Sequence, residues 1–165
     1  MGMNSDGSIC YTPIGIIHSP YAEPSGMPIQ PSGALGVRGS IVVDPRFCDG
    51  LKDLDGYSHI VLLYHLHRSA GPLLRVTPFL DTESRGVFST RAPRRPNPIG
   101  LSVVRLVSVE GGELTVENID ILDGTPLLDI KPYIPEMDVY QVERTGWFGQ
   151  SQKSIDSTRA DDRFD

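Results

Sequence analysis

Cysteine is almost absent. Cys10 and Cys48 are the whole complement, too few for a disulfide framework and wrongly spaced for a zinc knuckle, so a reducing cytoplasm is the expected location. Long apolar runs are missing too. The longest, residues 60–66, is interrupted by His65 and falls far short of the roughly 20 residues that cross a bilayer, so no membrane association is expected. The Met1-Gly2 start lacks a Ser or Thr at position 6, where Asp6 stands, so it does not read as a myristoylation signal. No glycine-rich G-x-G-x-x-G turn occurs, which gives no support to a dinucleotide-type sheet. Positive charge is in deficit: 15 Lys and Arg face 21 Asp and Glu, for a net charge of −6. That excludes a protein that grips nucleic acid over its whole surface; any such contact must be local.

What the chain has in excess is glycine and proline, 17 and 14 in 165 residues. This favours short strands and many turns within one domain. The densest stretch runs from Gly86 to Leu101, G-V-F-S-T-R-A-P-R-R-P-N-P-I-G-L. Pro93, Pro96 and Pro98 remove three backbone donors, so neither helix nor central strand continues through them. Residues 86–90 read as a β run entering this loop and residues 101–107 as one leaving it. A stiff loop carrying Arg91, Arg94, Arg95 and Asn97 offers three guanidiniums and an amide at low entropic cost, suited to an anion or a nucleotide edge. The alternative is a solvated basic loop or a proline-motif ligand, since Pro93-Arg94-Arg95-Pro96 is a P-x-x-P.

Along the rest of the chain, residues 1–10 read as a disordered N-terminal segment. Strands are expected over residues 11–18 and 37–43. Between them, residues 21–36 form a long proline- and glycine-rich loop, a length more often functional than idle. Residues 45–54 predict a short helix capped by Asp44 with Pro45 at its first position. Residues 59–67 are apolar on both faces apart from their histidines and predict a central strand. The period of two puts His59, His65 and His67 on one face, so a metal site has to be considered, although no carboxylate or thiolate completes it. A weaker strand over 73–79 is broken by Pro78. Gly111-Gly112 between two β runs predicts a hairpin. Residues 127–130 form a final buried strand, followed by a rigid extended stretch over 131–135. Trp147 and Phe148 are candidate anchors in a tail, residues 145–165, that is otherwise low in apolar residues and expected to be largely mobile. The sum is a mainly β fold, a single small barrel of about seven strands with one short helix over residues 11–144.

Ser58-His59, G-V-F-S-T-R, R-R-P-N-P-I-G-L-S and D-G-T-P-L-L-D-I-K-P-Y-I-P together resemble the TsaA-like family over roughly residues 14–138. The resemblance implies a β-barrel, not a Rossmann-type methyltransferase. It also implies that the barrel binds S-adenosylmethionine, dimerises, and methylates the exocyclic amine of threonylcarbamoyladenosine beside the tRNA anticodon. It assigns cofactor contacts to Gln30, Pro31, Ser32 and Gly33 in the long loop and to His67 and Arg68 after the central strand. Arg91 and Leu101 bracket the proline loop in the same role, and Ile121, Leu122, Asp123 and Gly124 complete it. Arg94, Arg95, Asn97, Lys131 and Tyr133 are the candidate tRNA contacts, and no metal is implied. Arg91 suits the cofactor's carboxylate, Leu101 and Leu122 an adenine slot, and Asp123 a sulfonium. Arg91 and Asn97 are expected to be buried or to face the site, and Arg94 to lie on its rim. No catalytic base stands out. Pro28-Ile29-Gln30 departs from the family's Pro-Arg-Gln, and a tail follows Asp138 where many bacterial members carry a further domain. The alternatives are a non-catalytic S-adenosylmethionine-binding or adaptor module, and a metal-dependent small-molecule enzyme using His59, His65 and His67.

Overall fold

The structure is a computed structural model that describes residues 6–150 and 154–164. Six antiparallel strands close into a barrel: β1 (Gly15–His18), β2 (Arg38–Val43), β3 (His59–His65), β6 (Ile99–Glu110), β7 (Glu113–Glu117) and β8 (Thr125–Pro132). Their order around the wall is β1-β2-β7-β6-β3-β8, and β8 pairs back onto β1 through Gly15–Leu127 and Ile17–Thr125. The barrel thus has six strands and not seven. A two-stranded ribbon, β4 (Arg75–Val76) with β5 (Arg85–Gly86), stands apart from it.

Alternation builds the wall. Along β3 the inward Ile60, Leu62 and Tyr64 are buried, and along β6 Gly100, Ser102, Val104 and Leu106 are buried. These meet Ile17, Ile41, Leu114, Val116, Ile119, Ile121 and Leu127 in one core. Most of these branched side chains are fully sealed, so truncating any of them to Ala costs about 2–5 kcal/mol. Gly100 has a packing reason: a Cβ there would overlap the Tyr64 ring. The hairpin is as expected, with Gly111 at φ 62° between β6 and β7.

Other elements shift. The Asp44-capped helix forms, with Asp44 accepting from the Arg46 amide, but as a 3-10 helix over Pro45–Leu51. Residues 86–90 are not a strand: a 3-10 turn over Val87–Ser89 interrupts them, because the only partner available, β4, is two residues long. A single helical turn, α1 (Pro135–Asp138), follows the extended stretch after β8. In the tail, Trp147 Nε1 donates to the Ser89 carbonyl at 2.7 Å, while Phe148 is exposed. Residues 154–164 run back across the long loop. The Gly26 amide donates to the Ala160 carbonyl and the Ala160 amide to the Met27 carbonyl, and Phe164 is buried against Phe79, Val76, Val87 and Ala92. The expected disorder over residues 1–5 and mobility over 151–153 lie outside the described residues.

Antiparallel closure has one consequence for function. The connections β1–β2 (residues 19–37), β3–β6 (66–98) and β7–β8 (118–124) all emerge at the same end of the barrel. The opposite end carries the β2–β3 connection, the hairpin and the stretch after β8.

Candidate functional site

The long loop between β1 and β2 is stitched at both ends to the β7–β8 connection. Ser19 Oγ donates to the Ile121 carbonyl at 2.6 Å, and the Asp123 amide donates to the Tyr21 carbonyl. At the other end the Gly36 amide donates to Asn118 Oδ1, and the Asn118 amide donates to the Val37 carbonyl. Within the loop, Pro31–Ala34 forms a 3-10 turn that buries Ala34 and holds Gln30, Pro31, Ser32 and Gly33 in place. The tail clamps this turn as well, because Arg159 Nη2 donates to the Gly33 carbonyl.

The three arginines of the proline segment divide their work. Arg95 turns inward: its Nη1 donates to the Thr90 and Val87 carbonyls at 2.9 and 3.1 Å, with the guanidinium over the Phe88 ring. Arg94 Nε donates to the Gly71 carbonyl at 2.6 Å. Both are half-buried; Arg95 stitches its own segment together, and Arg94 ties it to the turn after β3. Arg91 reaches across to the long loop, donating from Nη1 to Gln30 Oε1 at 3.0 Å. Arg91 and Asn97 are both exposed and not buried.

At the end of β3 the chain turns, with the Leu66 amide bonded to the Pro98 carbonyl. That turn takes His67 out of the strand register, so it does not share a face with His59 and His65. Its Nδ1 lies 3.3 Å from Thr125 Oγ1, and burial, with Arg68 and His65 adding to it, pushes its pKa below the ordinary value. His59 packs edge-on against Tyr133 at the other end of β3. Among the described residues, no three His, Cys, Asp or Glu side chains gather as a metal site requires. The three histidines of the metal-dependent alternative are thus not brought together: His59 lies at the far end of β3 from His65 and His67.

Asp123 is held by His18 Nδ1 at 3.0 Å and by the Ser19 amide, bonds that keep its carboxyl below the usual range. Arg68 pairs with Glu23 across the loop. Leu101 projects outward from β6 and is 48% exposed, whereas Leu122 is half-buried and Ile121 sealed. Lys131 and Tyr133 sit toward the opposite end of the barrel, with the Tyr133 amide bonded to the His59 carbonyl. They are apart from Arg94, Arg95 and Asn97 within one chain.

A polar chain that the motifs did not single out lies beneath the mouth. The Tyr64 hydroxyl is 3.0 Å from Ser102 Oγ, which donates to Asp120 Oδ1 at 2.6 Å. Burial raises Tyr64 well above its ordinary pKa and raises Asp120 to about 6, against the opposing effects of the Ser102 bond and Arg91. A serine at an inward position of an otherwise apolar barrel strand was the available signal.

The donor set fits S-adenosylmethionine. A solvent-facing guanidinium at Arg91 suits a carboxylate, the half-buried Leu122 offers apolar surface, and the exposed carboxylate of Asp123 suits a cation. A family model described as the tRNA-methyltransferase O N-terminal domain matches residues 16–139. The chain belongs to the tRNA-methyltransferase O family. A probable S-adenosyl-L-methionine-binding protein of Pyrococcus abyssi is 54% identical over 94% of this chain and 85% of its own. The human tRNA (adenine(37)-N6)-methyltransferase is 38% identical over 80% of this chain but 32% of its own. The crystal structure of TrmO from Pseudomonas aeruginosa superposes with a TM-score of 0.71 at 40% identity, covering 84% of this chain and 62% of that one. The barrel expected from the TsaA-like motifs is thus the barrel of this family, and the chain spans about three-fifths of that TrmO structure.

Proposed function

We propose that this chain is an S-adenosylmethionine-dependent methyltransferase that methylates the exocyclic amine of threonylcarbamoyladenosine beside the tRNA anticodon. One observation carries the reading. The segments 30–33, 67–68, 91 and 121–124, scattered over some ninety positions in the sequence, converge at a single end of a closed barrel. When bound, the cofactor supplies an electrophilic methyl group. The chain's part is positioning: Arg91 binds a carboxylate, the 30–33 turn and the 118–124 connection supply walls, and in-line approach of the amine supplies much of the rate. The test is transfer of isotope-labelled methyl from S-adenosylmethionine to purified tRNA, read by nucleoside mass spectrometry. Label is expected on threonylcarbamoyladenosine and not on tRNA lacking that modification. Equal labelling of both, or none, contradicts the substrate.

The working form in this reading is a homodimer. Closure of the barrel removes the open strand edges that a small β-domain would otherwise need to cover, so the contact belongs to the outer wall. There β6 projects Ile99, Leu101 and Val107, each more than 40% exposed. A cofactor contact at the outward Leu101 makes sense where a second subunit adds a wall. Sedimentation at micromolar concentration is expected to give a dimer; a monomer removes the shared site.

A non-catalytic S-adenosylmethionine-binding module is the second reading, favoured by the acidic net charge. It predicts thermal stabilisation by the cofactor with no methyl transfer to any tRNA.

A further inference from the structure

Three groups in the barrel mouth form one hydrogen-bonded line that the cofactor contacts do not account for. Tyr64 on β3 and Ser102 on β6 are buried, at 7% and 1% exposure. Asp120 follows the end of β7, half-buried, where that connection opens onto the mouth. Its Oδ1 accepts the Ser102 hydroxyl at 2.6 Å. Its Oδ2 accepts no hydrogen bond. The residue is only half-buried, so its carboxyl is not sealed off from the mouth. One oxygen is therefore fixed from beneath while the other is left without a partner side chain, and Gly100 leaves room for the Tyr64 ring that backs the line.

Resting on the methyltransferase reading, we propose that Asp120 is the proton acceptor of the reaction, taking the proton from the adenine exocyclic amine through Oδ2. The amine nitrogen gains a bond to the methyl carbon as the carbon–sulfur bond breaks. That bond's electron pair stays on sulfur, leaving a neutral thioether. The N–H proton passes to the Asp120 carboxylate, which becomes a carboxylic acid and later returns the proton to water. The Tyr64–Ser102 line orients the carboxylate without exchanging charge with it. The groups facing Asp120 are Tyr64 from β3, Arg91 from the proline segment and Tyr21 from the long loop. Of these, only Arg91 is charged at neutral pH. Burial holds Asp120 near a pKa of about 6, where a carboxylate is a useful base at neutral pH while still mostly ionised.

The experiment uses the full chain with S-adenosylmethionine and tRNA bearing threonylcarbamoyladenosine. Asp120→Asn is expected to lower kcat by at least about 100-fold while the calorimetric affinities for S-adenosylmethionine and its demethylated product stay within twofold of the parent. In the parent, kcat should rise with pH through about 6. The carboxyl carbon of Asp120, followed by NMR in the protein alone, should titrate in the same range. If Asp120→Asn does not fold, Ser102→Ala serves instead: loss of its bond to the carboxylate moves both titrations to higher pH. The proposal is overturned by kcat within threefold of the parent or by an Asp120 titration at ordinary carboxylate pH. A selective loss of affinity for S-adenosylmethionine over its product also overturns it, since that marks a sulfonium contact. A parent that binds the cofactor yet methylates no tRNA overturns the methyltransferase reading and this proposal with it.

Discussion

Arg91 and Asp120 sit near each other at the mouth with opposite duties, and their surroundings explain why. Arg91 is exposed and pinned only by Gln30, so its guanidinium keeps donors for a ligand. Arg91→Ala is expected to weaken S-adenosylmethionine binding by about 1.5–3 kcal/mol, the range for a hydrogen bond to a charged group, as measured by calorimetric titration. Unchanged affinity removes Arg91 from the site. Asp120 has its pKa raised by burial, so its protonated form is the one the fold prefers. The associated stability is complete below pH 4 and is lost as pH rises through about 6. An isosteric Asn should therefore leave the melting temperature at pH 8 no lower than the parent's. The residue that costs stability at neutral pH is the one the chemistry requires.

Elements explain which parts of the site could be read in advance. The hairpin was legible because Gly111-Gly112 dictates its turn, and the Asp44 cap because its chemistry is local. The central strand was legible to His65, but the turn beyond it depends on a bond to Pro98 that lies thirty residues away, so the face of His67 was misassigned. The β run expected over 86–90 failed for a similar reason: strand propensity needs a partner, and β4 supplies two residues. Arg94 and Arg95 looked like ligand contacts because stiff basic loops often are. What residue types could not show is that nearby carbonyls, those of Val87 and Thr90 for Arg95 and of Gly71 for Arg94, need donors. The tail was read as low in apolar residues, yet Phe164 alone, pressed on Phe79 at 4.9 Å between ring centres, closes the small cluster around β4 and β5. Phe164→Ala is expected to cost roughly 3 kcal/mol locally. Hydrogen exchange should rise over residues 75–92 and in the 26–33 turn that the tail clamps, with the barrel strands unchanged. Faster exchange throughout the barrel would show instead that the tail supports the global fold.

At the scale of the whole molecule, topology does most of the functional work. An antiparallel barrel of six strands sends every second connection to the same end, so segments far apart in sequence share one mouth without any of them being long-range by design. The opposite end has a hollow whose lining mixes apolar residues, among them Ile14, Phe47, Leu54 and Ile130, with Arg46, Asp49 and Asp129. Net charge leaves only a local route to tRNA: Arg91 is at the mouth, and Lys131 lies toward the far end of its own chain and close to Asp129. A pooled basic patch built from Arg94, Arg95 and Lys131 would therefore need the second subunit. The most direct test of the account is where the cofactor binds. Hydrogen exchange with and without S-adenosylhomocysteine should show protection confined to residues 26–34, 66–68, 90–101 and 118–125. Protection at the hollow of the far end, or none anywhere at saturating ligand, would contradict it.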